Sequence, residues 1–323
     1  MGLTIGGTEV APGERCHIDI PLADIPATQL EMPLSVEVVS GRRPGPTVWI
    51  SGTIHGDELN GIEIIRQVLD ELDAEQLRGT VLAVPIVNMF GFVLGSRYLP
   101  DRRDLNRSFP GSAKGSLAAR VAAKFMEEIV APCSHGIDLH TGSDHRRNLP
   151  QVRADLTHAE TRACALAFGA PVTIDSHTRD GSLRDAAGRL GKQVLLYEAG
   201  EPHRFNRDAV RVGVNGVLRV LRHLDMVPPA PAGGAMPDLP PAATRIATKS
   251  QWLRARASGL ARLKVHLGDT VAAKQRVAVI SNAFGHDVHV IRAARAGLVI
   301  GRAGNPVVRE GDAIVHIATE FEE

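Results

Sequence analysis

Residues 47–72 read TVWISGTIHGDELNGIEIIRQVLDEL. The apolar run Val48 to Ile50 passes through small residues into His55-Gly56-Asp57-Glu58, and a segment with apolar Ile62, Ile65, Leu69 and Leu72 follows at helical spacing. The pattern predicts strand, loop, helix. Open α/β sheets hold their sites where the chain leaves the C-terminal end of a strand, so His55 and Glu58 are the first candidates for chemistry. With 13 His and 36 Asp or Glu in 323 positions, a His followed three residues later by an acid is expected about 1.4 times by chance. The pair means a metal site only if the rest of the chain supplies a third ligand, a base and a substrate clamp.

Outward from this stretch, strand and helix patterns alternate. Upstream, residues 1–45 are rich in Gly and Pro and carry an alternating segment, Leu34 to Val39, which reads as an edge element entering a sheet before the turn at Gly41 to Gly45. Downstream come a buried run, Thr80 to Val87, and a long loop. A helix is then predicted over Leu117 to Val130 from the four-residue spacing of Leu117, Val121, Phe125 and Ile129. Further on, Gly136 to His140, Pro171 to Ser176 and Gln193 to Glu198 read as strands, and Thr157 to Phe168 and Asp208 to Leu224 as helices. This alternation predicts an α/β fold, with a mostly parallel or mixed sheet covered by helices on both faces.

Composition changes at Pro228 to Ala243, where the proline-rich stretch PPAPAGGAMPDLPPAA reads as a linker. The expected organisation is a main domain over 1–227, this linker over 228–243, and a small all-β, barrel-like domain over 244–323. Two stretches of that tail look alike. Ser258-Gly259-Leu260 is followed by Gly268-Asp269-Thr270-Val271, and Ala296-Gly297-Leu298 by Gly311-Asp312-Ala313-Ile314. Such self-similarity predicts a duplicated half-barrel. The punctuation resembles that of biotinyl or lipoyl carrier domains. Carriers, however, present a lysine at the hairpin between the halves, and Ser281 to Asp287 contains none. The tail therefore reads as a structural or assembly module.

The length and 44% hydrophobic content allow a large core, and a formal net charge of +1 gives no field that would draw nucleic acid or a membrane surface. The expected partners are small molecules and further copies of the chain. Cys16, Cys133 and Cys164 are odd in number and widely spaced, which fits a reducing cytoplasm better than a disulfide framework. No secretory leader and no apolar run of about 18 residues is legible.

Chemistry gathers at a few further places. His140 ends the strand Gly136 to His140, and alternation puts Asp138 on the same face, where a carboxylate can fix an imidazole tautomer. A lone histidine there is more often a polar strand end, but two imidazoles and a carboxylate leave a coordination position open, as catalytic zinc sites do. Glu198 ends the apolar strand Leu195-Leu196-Tyr197, where partial desolvation suits a proton shuttle. Glu201, beyond a glycine in a looser segment, is the competing choice. The loop Leu94 to Gly111 gathers Arg97, Arg102, Arg103, Asn106 and Arg107, and Arg146 and Arg147 follow the His140 strand. Their guanidinium forks suit a carboxylate-bearing substrate.

His55-Gly56-Asp57-Glu58, Asp104-Leu105-Asn106-Arg107, Asp138-Leu139-His140-Thr141 and Glu198-Ala199-Gly200, in this order, resemble the succinylglutamate desuccinylase and aspartoacylase family, similar in fold to zinc carboxypeptidases. The resemblance spans roughly residues 30–225, and the β tail is similar to that family's C-terminal domain. It implies one Zn2+ per chain held by His55, Glu58 and His140, with Glu198 as general acid/base and Asn106 with Arg107 as substrate-binding groups. An arginine upstream of Asp-Leu-Asn-Arg polarises the scissile carbonyl in that family. Spacing leaves Arg97, Arg102 and Arg103 open for this role, and the Arg97-Tyr98 pair favours Arg97. The segment Asn148 to Arg153 resembles a bacterial branch distinct from the two named activities. The expected activity is hydrolysis of the amide bond of a small N-acyl amino acid or N-acyl amine by metal-activated water. Cleavage of short peptides by a carboxypeptidase, or a non-catalytic binding and assembly role, are the rival expectations.

Overall fold

The structure, a computed structural model, describes residues 2–24, 31–178, 180–229 and 244–322. Residues 230–243 of the expected linker lie outside the described residues. The strands are β1 (Leu3–Ile5), β2 (Thr8–Val10), β3 (Arg15–Asp24), β4 (Glu31–Ser40), β5 (Arg43–Gly52), β6 (Arg78–Val84), β7 (His135–His140), β8 (Arg146–Ala154), β9 (Val172–Asp175) and β10 (Gln193–Gly200). After the proline-rich stretch come β11 (Arg245–Arg254), β12 (Gly259–Leu263), β13 (Thr270–Val271), β14 (Arg276–Ser281), β15 (His289–Arg292), β16 (Gly297–Ala303), β17 (Val307–Val308) and β18 (Ala313–Phe321). The helices are α1 (Asn60–Asp70), α2 (Met89–Leu94), α3 (Leu117–Phe125), α4 (Ala159–Phe168), α5 (Leu183–Arg189) and α6 (Arg207–His223). None of them is long and apolar enough to cross a membrane.

A 12-stranded sheet runs in the order β13-β16-β18-β11-β9-β8-β10-β7-β5-β6-β4-β3. It is mixed. The consecutive neighbours β10, β7, β5 and β6 are parallel, whereas β8 joins β10 antiparallel and β4 joins β6 antiparallel. β3 closes one end of the order, whereas β4, which contains the Leu34 to Val39 stretch expected as the edge, pairs with both β3 and β6; the register places Pro21 opposite Pro33 between the two outermost strands, β3 and β4. Edges tolerate proline because a ladder donor can be missing there.

The strand-loop-helix reading of residues 47–72 holds. Successive strand residues point to opposite faces, and β5 shows it: Val48 and Ile50 join one core cluster with Ile64, Ile65 and Val68 of α1 and the buried faces of α4 and α6. Trp49 joins the other cluster with Val121 and Phe125 of α3 and Leu183, Ala186 and Ala187 of α5. Helices therefore cover both faces. The helix expected over 117–130 is α-helical through Phe125 and continues as a π turn over Met126–Val130. Several elements are not legible in the sequence, among them β1, β2, β3, α2, α5 and β8. α2 and α5 are short and each contains a glycine, and β8 begins Arg-Arg-Asn-Leu-Pro, with no apolar alternation. Arg43 to Gly45, read as part of a turn, already belong to β5.

In the C-terminal part a four-stranded sheet, β15-β14-β12-β17, closes over a separate core containing Val277, Ile280, Val299 and Val315. The expected duplication is visible in its turns: Asp269 Oδ2 accepts from His266 N at 2.7 Å, and Asp312 Oδ2 accepts from Arg309 N at 2.7 Å. The other tail strands, β11, β13, β16 and β18, continue the large sheet, since β11 pairs with β9 in parallel and β16 pairs with β8.

Candidate active site

Three parallel neighbours, β5, β7 and β10, end at one edge of the sheet, and their C-terminal ends carry the site. Glu198 lies opposite His140 in the β10–β7 ladder, and Ser51 lies opposite Asp138 in the β5–β7 ladder. His55 and Glu58 follow β5 on the loop into α1. That loop packs without a spare atom at Gly56, where a Cβ would come within 2.0 Å of the Gly91 carbonyl carbon and 2.3 Å of Phe92 N. Only glycine lets the loop meet the backbone of α2 this closely.

His55, Glu58 and His140 are buried, and their ligand atoms all lie within 4.8 Å of one another. Glu58 is the hub: Oε1 is 2.8 Å from His55 Nδ1 and Oε2 is 2.8 Å from His140 Nδ1, and Oε2 also accepts from Thr141 N at 3.0 Å. Behind His140, Asp138 Oδ2 is 2.8 Å from Nε2 and its Oδ1 accepts from Ser51 Oγ at 2.9 Å. A neutral His140 that donates Nε2–H to Asp138 turns the Nδ1 lone pair toward Glu58, itself an acceptor. Lone pairs that meet at 2.8 Å require a cation or a proton between them. This donor set fits a divalent metal with imidazole and carboxylate preferences.

The charges of this group interact strongly with one another. Burial opposes the Glu58 charge, but the two imidazoles outweigh it and hold the carboxyl well below its ordinary range. Burial likewise opposes a charged His140, and Asp138 and Glu58 raise it well above the usual imidazole value. Asp104, to which its motif assigns no role, completes the arrangement. Its Oδ1 lies 3.3 Å from His55 Nε2 and its Oδ2 accepts from Arg97 Nη2 at 2.9 Å. Desolvation would raise its carboxyl, and His55 followed by Arg97 hold it well below the usual range instead.

The ligand group opens into a cavity of about 220 Å³. Arg97 lines it and donates from Nη1 toward Glu58 at 3.3 Å. Of the three arginines left open by spacing, Arg97 is the one at the cavity; Arg102 and Arg103 are exposed, and Arg103 Nε lies 3.7 Å from Asp101. Asn106, Arg107 and Arg146 all reach the cavity. Asn106 is partly committed, because its Oδ1 accepts from Leu183 N at 2.9 Å at the start of α5; the amide nitrogen is the donor it can offer a ligand. Glu198 also faces the cavity and is gripped by Asn148 Nδ2 at 2.8 Å, Gln151 Nε2 at 3.3 Å and Arg153 Nε at 3.4 Å. Its rival Glu201 lies elsewhere, 3.5 Å from Arg204. Arg147 does not line the cavity.

Sequence reasoning missed Asn148 and Arg153, because β8 was not recognised as a strand, and Arg184, which reaches the cavity from α5 with its Nη2 3.0 Å from the His177 carbonyl. It also missed Trp252 on β11, a cavity-lining residue supplied by the tail that had been expected to be structural. No local signal marks any of these.

Comparison with known proteins bears on the same residues. The profile of the succinylglutamate desuccinylase/aspartoacylase catalytic domain matches residues 44–224. Over 315 residues, 94% of this chain and 91% of the other, the sequence is 30% identical to N-alpha-acetyl-L-2,4-diaminobutyric acid deacetylase of Halomonas elongata. Among solved structures, a succinylglutamate desuccinylase/aspartoacylase from Rhodobacter sphaeroides superposes with a TM-score of 0.83 at 26% identity, covering 96% of this chain and 95% of that one. The product-bound ectoine utilization protein EutE from Ruegeria pomeroyi shares the fold, with a TM-score of 0.83 at 24% identity and 95% of both chains covered. The profile spans the loop of His55 and Glu58, the Asp104 motif, the His140 strand and the Glu198 strand, and the chain belongs to the succinylglutamate desuccinylase/aspartoacylase family.

Proposed function

We propose that this protein is a zinc-dependent hydrolase that cleaves the amide bond of a small N-acyl amino acid or N-acyl amine. The observation that carries the reading is the convergence of His55, Glu58 and His140 at one end of a cavity that Glu198 also faces. His55, Glu58 and His140 would hold the metal, which when bound supplies a Lewis acid for the acyl carbonyl and lowers the pKa of a water. The remaining work falls to the chain. Glu198, positioned by Asn148, Gln151 and Arg153, takes the proton of the attacking water and returns it to the nitrogen of the departing amine. Arg97, anchored by Asp104, offers its guanidinium to the carbonyl oxygen as negative charge develops there. Arg107, Arg146 and the amide nitrogen of Asn106 bind the substrate's carboxylate.

A cavity of about 220 Å³ suits a small acylated amino acid better than a peptide. The relative from Halomonas elongata supports acetyl as the acyl group. In this reading the catalytic unit spans 1–227 in a zinc carboxypeptidase-like arrangement, 244–323 form an attached β unit, and the protein works in a reducing cytoplasm, which suits its three free cysteines. The test is amine release from a panel of N-acetyl, N-succinyl and N-formyl amino acids, N-acetyl-2,4-diaminobutyrate included, with zinc-loaded and chelator-treated protein. Amine release that disappears on chelation is expected. A fully zinc-loaded protein that leaves the panel intact but trims dipeptides would replace this reading with a carboxypeptidase.

A further inference from the structure

Trp252 stands at the cavity without an assigned role. It lies on β11, directly opposite His316 of β18 in the ladder. The two rings stack, with centroids 4.5 Å apart and planes within 10° of parallel. His316 is buried, its Nε2 lies 2.9 Å from Ser250 Oγ, and burial followed by the nearby Arg153 pushes it down to about 3. A neutral ring is thus the fixed backing of the indole. Arg146 lies over the same indole, its guanidinium carbon 5.4 Å from the ring centroid. The acidic neighbour of Arg146, Asp144, is 3.4 Å away and mostly exposed, a weak anchor. The backbone carrying Arg146 is held from the same side: Ala303 of β16 pairs with Arg146, and Gly301 with Asn148. A Cβ at Gly301 would stand 3.0 Å from Asn148 Oδ1, 3.1 Å from His316 Cβ and 3.3 Å from Trp252 Cη2, so this position leaves room for the stack and for the amide that holds Glu198.

We propose that Trp252 is a positioning residue for Arg146, and that the C-terminal β unit thereby sets substrate specificity by fixing the guanidinium that receives a substrate carboxylate. This rests on reading the cavity as the substrate site. A long arginine side chain tethered only by an exposed carboxylate samples many rotamers, and an aromatic face in a partly desolvated wall selects one of them.

The experiment combines kinetics with a signal that needs no turnover. The chain has two tryptophans, and Trp49 is fully buried in the core away from the cavity, so a ligand-dependent emission change reports Trp252. Titration of the full-length protein with succinate should change the emission, and the change should vanish in Arg146→Gln and in Trp252→Phe. With the best substrate of the panel, Trp252→Ala should raise KM about two- to thirtyfold, the range of a cation–π contact, with a smaller fall in kcat. Trp252→Phe should restore most of the affinity and Trp252→Leu should not. The Trp252→Ala/Arg146→Gln double variant should be no worse than Arg146→Gln alone. Multiplying losses in the double variant, rescue by leucine as good as by phenylalanine, or an undiminished succinate response in Arg146→Gln would each overturn the proposal. Absence of hydrolysis across the panel would instead remove the functional reading, and the succinate titration would still decide whether Trp252 and Arg146 act together.

Discussion

Replacement of Glu198 by Gln should separate catalysis from folding and from metal binding. The isosteric amide keeps an oxygen that can accept from Asn148 Nδ2, now at 2.8 Å, and from Gln151 Nε2, at 3.3 Å, so the side chain stays in place. What is lost structurally is the charge facing Arg153, whose Nε lies 3.4 Å from that same oxygen. Both side chains of that pair are about one-fifth exposed, so the loss costs about 0–1 kcal/mol. What is lost chemically is the only function a glutamine cannot perform, taking up a proton. A positioned general base is worth about 10²–10⁴-fold, or about 3–5 kcal/mol on the barrier. The variant should therefore melt within a few degrees of the parent, hold zinc with unchanged stoichiometry by elemental analysis, and lose at least about a hundredfold in kcat. Glu198 is outside the ligand group, which is why the metal should stay. Turnover within a few-fold of the parent would refute its role as base, and zinc loss in parallel with activity would show that it belongs to the metal site instead.

Other consequences can be measured independently. His140→Ala should purify with little zinc, and Asp138→Asn, which weakens the Nε2 contact at 2.8 Å, should lower zinc affinity about 10–100-fold in chelator competition; full occupancy in the alanine variant would remove His140 from the ligand set. Gly56→Ala forces a methyl against the backbone of α2 at 2.0 Å, and overpacking of this kind costs about 1–3 kcal/mol; a lower melting temperature together with weaker zinc binding is expected, and an unchanged one would show that the loop yields. The folded pKa of His316 is pushed down to about 3, below its ordinary 6.5. The unfolded chain then binds more protons than the folded one between these values, so stability falls as pH drops through that window, by at most about 1.4 kcal/mol per pH unit. His316→Gln should flatten that part of a denaturation-versus-pH curve, and an unaltered slope would show that His316 is not its source.

His55, Glu58, His140 and Glu198 were legible because each sits at the end of a strand or on the loop just after it, and β strands announce themselves by local hydrophobic pattern. Parallel strands entering one sheet must end at one edge, so the sequence already implied that these residues meet. The pairing of Asp138 with His140 followed from alternation alone. In the arginine loop only the Arg97-Tyr98 pair pointed to Arg97. Arg97, Arg102 and Arg103 lie on irregular backbone, where side-chain direction has no period, and the choice fell to the Asp104 carboxylate that draws Arg97 inward. β8 escaped notice because it opens with the polar residues Arg146, Arg147 and Asn148 and is interrupted by Pro150, although it is held by β10, β9 and β16.

By itself the sequence determined the class of fold, the likeness between two stretches of the β tail, the metal-ligand candidates and the candidate base, since all of these are written in short-range periodicity or in motifs a few residues long. Only the tertiary structure decided which arginine lines the cavity beside Glu58, that Asn106 spends its oxygen on α5, that Asn148 and Arg153 hold Glu198, and that Trp252 walls the cavity. The separation between Arg146 and Trp252 along the chain is closed by β16 pairing with β8 and β11 pairing with β9. Contacts of this range depend on register between distant strands, and no local pattern encodes register between segments a hundred residues apart.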